Sequence, residues 1–212
     1  DDLKDAYGEI EEKISGESKV LWERPDFRIM GSNFSCDAYT EAWQIKDFVD
    51  CNFNMLMVLY YSYNNEEPAK DVAKWCARFG IELMYYPAID WNANVITLPE
   101  DEGFVDNPAL WGFYVVDEPY VDEDCIKYKA VLENSKEKYK DTDWKFFINT
   151  CGADAEINWK KYFTNSDVFS FDMYINNFKN RKNKVGQTWE KYRDMSDELG
   201  QDYFVFIDSW NL

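Results

Sequence analysis

The stretch Leu110-Trp-Gly-Phe-Tyr-Val-Val-Asp-Glu-Pro119 decides the fold. Its first seven positions are apolar or glycine, without alternation. That is the pattern of a strand covered on both faces, as parallel strands flanked by helices are. Charge appears only at its end, in Asp117 and Glu118, just before Pro119. Three acids follow, Asp122, Glu123 and Asp124, where a helix would begin and its dipole favours negative charge. Cys125, Tyr128 and Leu132 fall on one face of that helix.

The same strand-then-helix rhythm extends outward in both directions. Upstream runs are Phe27-Arg-Ile-Met30, Met55-Leu-Met-Val-Leu-Tyr60 and Ile81-Glu-Leu-Met-Tyr-Tyr86. Downstream runs are Trp144-Lys-Phe-Phe-Ile148, Asp167-Val-Phe-Ser-Phe171 and Tyr203-Phe-Val-Phe-Ile207. Helical stripes separate most of them. Ala42, Ile45, Phe48 and Val49 form one, and Val72, Trp75, Cys76 and Phe79 another, stopped by Gly80. A last stripe, Trp189, Tyr192, Met195 and Leu199, closes at Gly200. Run starts lie roughly 25–35 residues apart, the size of one βα unit. Seven such units in series predict an α/β fold of the (β/α)8 TIM-barrel type rather than an open doubly wound sheet. The first run leads into Gly31-Ser-Asn-Phe-Ser35, without the glycine-rich turn of a nucleotide-binding sheet. Eight strands are needed and seven are read. The expectation is therefore a single barrel domain over residues 1–212, truncated after strand seven. The alternative is an extra strand from Lys19-Val-Leu-Trp22, behind a polar lead-in over residues 1–18.

Composition narrows the chemistry. The 212 residues carry a net charge of −18 and 18% aromatics, so the chain is acidic but far too rich in aromatics for a disordered acidic segment. Nucleic acid and anionic membranes, both bound by clustered Lys and Arg, are not expected partners. Histidine is absent. Its absence excludes Ser-His-Asp and Cys-His engines and histidine-ligated zinc. No cofactor motif or metal set is read. Cys36, Cys51, Cys76, Cys125 and Cys151 form no CxxC pair and no disulfide framework, and Cys76 and Cys125 lie on apolar helix faces. No signal peptide or membrane span is read, and membrane insertion is not expected. Localisation stays open, with an extracellular or periplasmic setting favoured for a polysaccharide-degrading enzyme. The oligomeric state is not readable.

Barrel enzymes carry their chemistry at the C-terminal strand ends. In chain order those ends offer Ser32 and Asn33; Tyr60, Tyr61 and Tyr63; Tyr86, Asp90 and Trp91; Asp117 and Glu118; Asn149; Asp172 and Tyr174; and Asp208 and Trp210. Carboxylates, amides and flat aromatics are the groups a sugar site needs, for proton transfer, hydroxyl bonding and stacking. Glu118 is the leading catalytic candidate. Pro119 should hold it in an extended conformation, and an acid at an apolar mouth has its pKa raised toward ~6, as a general acid needs. Asp117 should point to the other side of the strand, where it bonds a neighbouring strand end or orients substrate. The simpler readings are a helix-capping Glu118, strand-end hydrogen-bond pairs for Asp172 and Tyr174, and core packing for the aromatics.

The segment Asn107-Pro-Ala-Leu-Trp-Gly-Phe-Tyr-Val-Val-Asp-Glu-Pro119 resembles the fourth-strand motif of barrel glycoside hydrolases, and Phe53-Asn-Met-Leu56 resembles their second-strand start. The resemblance is to the retaining clan A. It implies Glu118 as acid/base and, by order, Asp208 at the seventh strand end as the second catalytic carboxylate. It implies a carbohydrate substrate, with Asp117, Asn149, Asp172, Tyr174, Trp91, Trp210, Tyr61 and Asn33 as substrate-binding candidates. Two departures stand out: the clan has Asn where Asp117 stands and Glu where Asp208 stands. The shorter Asp208 leaves open whether the carboxyls sit about 5–5.5 Å apart for retention or about 6.5–9.5 Å for inversion. The adjacent Asp117 and Glu118 also resemble the acid pair of substrate-assisted N-acetylhexosaminide hydrolases, and Ser170-Phe-Asp-Met-Tyr174 resembles the sixth-strand element of chitinase-like barrels. Their long Asp-rich strand-four signature is missing. A non-catalytic carbohydrate-binding barrel is the alternative to an enzyme. A Schiff-base mechanism on Lys145 is disfavoured, because that lysine lies at the start of its strand.

Overall fold

The structure, a computed structural model, describes residues 28–35, 41–59, 66–98, 102–119, 121–150, 155–173 and 182–207. The alternative extra strand at Lys19-Val-Leu-Trp22 lies outside them. The chain is α/β. Seven strands form one sheet in the order β1-β2-β3-β6-β7-β8-β9, and β4 and β5 pair separately. The sheet strands are β1 (Met30–Ser35), β2 (Met55–Leu59), β3 (Glu82–Tyr86), β6 (Leu110–Asp117), β7 (Lys145–Thr150), β8 (Val168–Met173) and β9 (Asp202–Ile207). Pairing is parallel between β1 and β2 and along β6, β7, β8 and β9. Helices intervene: α1 (Ala42–Asp50), α2 (Glu66–Phe79), α3 (Glu102–Val105), α4 (Asp122–Lys138), α5 (Ala155–Asn158) running into a π-helical turn (Trp159–Phe163), and α6 (Lys182–Leu199). Two compact units divide the chain, Asp1–Tyr85 with Leu98–Trp111, and Tyr86–Thr97 with Gly112–Leu212.

In the first unit β2 is the buried strand. Met55, Leu56 and Val58 are all fully buried, and each such side chain contributes about 1.5–3 kcal/mol. The α2 stripe behaves as its spacing predicts. Val72 and Cys76 are fully buried, and the chain turns at Gly80 with a φ of 73°. Beneath the strand starts, Arg28 pairs with the fully buried Glu82, and its guanidinium lies 5.2 Å over the Trp111 ring. A buried carboxylate is tolerable only with such a partner. The first strand corrects the sequence reading. It starts at Met30 and runs through Gly31-Ser-Asn-Phe-Ser35, the segment expected to follow it. Pairing with the buried β2, from Met30 opposite Met55 to Ser35 opposite Leu59, outweighs the low strand propensity of those residues.

The second unit contains a hairpin that the sequence reading missed. β4 (Ala88–Asp90) and β5 (Val95–Thr97) pair antiparallel across the turn at residues 91–94. Three-residue strands are too short to show a periodicity. The hairpin lies along α4. The Asn134 amide donates to the carbonyls of Ala93 and Asn94 at 3.2 Å each, and the Ile96 N–H donates to Ser135 Oγ at 3.0 Å.

Behind β6–β8, helices cover one sheet face with aromatic layers. Phe113 meets Trp144 and Phe146, with centroids at 5.2 and 5.3 Å, and Tyr139 at the end of α4 stacks on Phe146. Trp159 sits 4.5 Å from Phe169, and Tyr192 of α6 stacks on Phe171 at 3.9 Å. Gly112 lies opposite Lys145 where β6 begins pairing with β7, and a Cβ there would fall on the Lys145 carbonyl. Only glycine permits that approach.

Candidate functional site

The C-terminal end of β6 departs from ordinary strand geometry. Tyr114 pairs with Phe147, but Val116 pairs with Ile148, so β6 spends two steps where β7 spends one. Val115 is the extra residue of a β-bulge. Its consequence is a change of face. Simple alternation would put Tyr114 and Asp117 on opposite faces. With the bulge, both share the face of Phe147 and Asn149, opposite the one covered by α4.

A hydrogen-bonded chain follows from that placement. Asp117 lies opposite Asn149, and Asn149 lies opposite Ser170, so three adjacent strands present them in one row. The Ser170 hydroxyl donates to Asn149 Oδ1 at 2.8 Å. Asn149 Nδ2 donates to Asp117 Oδ1 at 3.0 Å, and the Tyr114 hydroxyl donates to the same oxygen. Ser170 and Asn149 are 0% and 1% exposed, whereas Asp117 is exposed, so the row runs from the interior to the surface. Burying these polar groups unpaired would cost about 1–3 kcal/mol each, and the chain removes that cost. Aromatic rings flank it: Tyr86 meets Tyr114 edge-on at 5.0 Å, Tyr114 meets Phe147 at 5.0 Å, and Phe147 meets Phe204 at 6.0 Å.

Glu118 comes next and is not extended. Its φ is 47°, in the left-handed region, contrary to the expectation drawn from Pro119. A parallel-ladder bond explains why the position is held. The Glu118 N–H donates to the Asn149 carbonyl at 3.0 Å, so β7 grips the chain while it turns toward α4. Downstream, Pro119 is buried, and the Cys125 thiol donates to its carbonyl at 3.6 Å. Burial pushes that thiol upward in pKa, the neighbouring Asp122 adding to the shift, so Cys125 is a packing group rather than a nucleophile. Among the described residues, the other non-glycine positions with positive φ are both asparagines, Asn52 at 64° and Asn94 at 48°. Asn tolerates this region, whereas Glu pays about 1–2 kcal/mol there. Such strain concentrates at functional positions.

Of the remaining candidates, Trp91 stands in the hairpin turn. It is 43% exposed, with Lys127 Nζ 3.8 Å over its ring and Tyr128 5.6 Å away on α4. Desolvation raises the Tyr128 pKa, with Asp124 adding to it. Asp90 turns inward on its own hairpin, accepting from the Asn92 and Ala93 N–H groups at 2.9 and 3.4 Å. Asn33 lies in β1, and Asp172 lies in β8 opposite Phe206 of β9. Tyr61, Tyr174, Asp208 and Trp210 lie outside the described residues, as do Tyr60 and Tyr63. Lys145 is exposed at the start of β7.

Tyr114 and Ser170 belong to the site but were not singled out from sequence. Ser170 was within reach of the reading: it interrupts the run 168–171 two residues before Asp172. Tyr114 was not, because only the bulge brings it beside Asp117. Among the described residues no cluster of three or more Asp, Glu and Cys side chains is placed to hold a metal ion, and no helix is long and apolar enough to cross a membrane. No protein-family model matches the chain, and a search of curated proteins finds no match either.

Proposed function

We propose that the chain is a glycoside hydrolase built on a (β/α)8-type barrel, with Glu118 as its general acid/base. The observation that carries the reading is the left-handed backbone at Glu118, held by β7 beside a carboxylate fixed by hydrogen bonds. That conformation costs a glutamate about 1–2 kcal/mol, and strain of this kind concentrates at functional positions. Protonated Glu118 would give its proton to the glycosidic oxygen as the bond to the sugar lengthens. Asp208 is the second carboxylate by order along the chain, and carbohydrate is the substrate class. The experiment is hydrolysis of a panel of alkyl glycosides, whose leaving groups depart only when protonated, by the wild type and by Glu118→Gln. Glutamine keeps the shape and removes the proton, so turnover should fall by ~10²–10⁴. Equal turnover in the two proteins contradicts the reading. Binding of oligosaccharide without turnover in the wild type would make the chain a carbohydrate-binding barrel instead.

A second reading has its own supporting observation. Asp117 is clamped by Tyr114 and Asn149 directly before Glu118, as a substrate-assisted N-acetylhexosaminide hydrolase requires of the acid that steadies the acetamido group. It predicts that aryl N-acetylglucosaminides are cleaved and the matching glucosides are not.

A further inference from the structure

We propose that Ser170, Asn149 and Tyr114 are positioning residues that fix the Asp117 carboxylate as an obligate acceptor for a hydrogen-bond donor on the bound sugar. The class of ligand rests on the carbohydrate reading of the same site. The polarity of the row rests on chemistry alone. Asn149 Oδ1 is a carbonyl oxygen and only accepts, so the Ser170 hydroxyl 2.8 Å away donates to it. The carboxylate at the other end sets which way the buried amide faces, because a hydroxyl can accept as well as donate. Reversing it would bring the amide oxygen against a carboxylate, two acceptors with no proton between them. The amide nitrogen therefore points outward and donates to Asp117 Oδ1 at 3.0 Å. The Tyr114 hydroxyl donates to that same oxygen.

Every bond in the row thus delivers a proton toward Asp117, and both final bonds land on Oδ1. Oδ2 is the oxygen that this exposed side chain carries to a ligand. A carboxylate held this way accepts and does not donate, so the sugar must supply the hydrogen, from a hydroxyl or from an acetamido N–H. A plain clasp between strand ends explains less. The ends of β6 and β7 are already joined by the Glu118 N–H to Asn149 carbonyl bond at 3.0 Å. What the side-chain row adds is orientation. The extra residue Val115 is what turns Asp117 onto the face of Tyr114 and Asn149, and bulges beside active sites serve to re-aim a side chain.

The test measures kcat, KM, sugar affinity by calorimetry and melting temperature for the wild type, Ser170→Ala, Ser170→Thr, Asn149→Asp, Tyr114→Phe and Glu118→Gln. Ser170→Ala and Tyr114→Phe should each raise KM and weaken affinity by ~3–10-fold, with kcat changed less. Asn149→Asp keeps the shape but sets a like charge against Asp117, and should weaken affinity by ~100-fold or more. Ser170→Thr keeps the hydroxyl and should restore the wild-type KM. Losses confined to N-acetyl glycosides assign the donor to the acetamido N–H, and losses shared by plain glycosides assign it to a hydroxyl. If Ser170→Ala, Tyr114→Phe and Asn149→Asp alter melting temperature but leave KM and affinity at wild-type values while Glu118→Gln abolishes turnover, the positioning role is overturned and the hydrolase reading stands. A wild type with neither turnover nor sugar affinity overturns both.

Discussion

Two aspartates of the second unit stand at strand ends that lead into a turn with a positive-φ residue, and they use their carboxylates in opposite ways. Asp90 ends β4 and turns back on its own loop, bonding the N–H groups of Asn92 and Ala93 before Asn94 takes a φ of 48°. Asp117 ends β6 and bonds nothing in its own loop among the described residues. It accepts instead from Tyr114 and from Asn149 on the next strand, and Glu118 takes a φ of 47°. In the hairpin every residue type suits its conformation: Asp caps, and Asn tolerates the left-handed turn. At the end of β6 the conformation is the same and the residue is wrong for it. The hairpin turn is locally satisfied, while the β6 end holds strain that only distant contacts maintain. Local consistency marks structure, and its failure marks the place to look for chemistry.

The largest effect should come from replacing Glu118, because the account makes it both strained and catalytic. Glu118→Asn places a residue suited to positive φ and should raise stability by ~1 kcal/mol in chemical denaturation. The same change should abolish glycoside turnover. A variant that gains stability and keeps its activity would contradict a catalytic Glu118, and one that loses stability would contradict the strain. Asp117→Ala comes next. It removes the hydrogen bonds from the Asn149 amide and the Tyr114 hydroxyl and should cost about 1–3 kcal/mol. The mirror-image change in the hairpin, Asn94→Glu, should lose ~1 kcal/mol, matching in size what Glu118→Asn gains. Asp90→Ala should lose ~1 kcal/mol with no change in turnover, because its bonds serve only its own turn.

The smallest effect concerns a third acid, Asp122 at the start of α4. The hydrogen bond from Lys161 chiefly lowers its pKa below the ordinary 3.8, with Tyr162 contributing. A depressed carboxylate adds stability above its unfolded pKa and loses it as pH falls through the folded value. Wild type and Asp122→Asn should therefore differ slightly in melting temperature at neutral pH and converge as the pH drops below 3.8. A difference that grows toward acid would reverse the sign of the account.

Much of the architecture was readable because parallel strands buried on both faces leave long apolar runs. The runs at 55–60, 81–86, 110–116, 144–148, 167–171 and 203–207 each overlap a sheet strand of the described residues. The first strand was misplaced because Gly31, Ser32 and Asn33 have the composition of a turn, and only pairing with β2 makes them a strand. The hairpin was invisible because its strands have three residues each. At the candidate site, Asp117, Glu118 and Asn149 were legible as polar residues ending apolar runs. Their relations were not. One inserted residue, Val115, sets which face Asp117 takes, and no periodicity in Phe-Tyr-Val-Val announces it. The left-handed Glu118 was hidden for a similar reason, since Pro119 argues for an extended neighbour and tertiary pairing overrides it.

The central claim is that Glu118 supplies a proton to the leaving group. It is tested most directly by comparing Glu118→Gln with the wild type on two glycosides of one sugar, one with an alkyl leaving group and one with dinitrophenol. An alkoxide needs protonation to depart, whereas dinitrophenolate does not. The account predicts that kcat/KM for the alkyl glycoside falls by ~10²–10⁴ while that for the dinitrophenyl glycoside stays within about tenfold of wild type. An equal fall for both substrates would contradict proton transfer by Glu118.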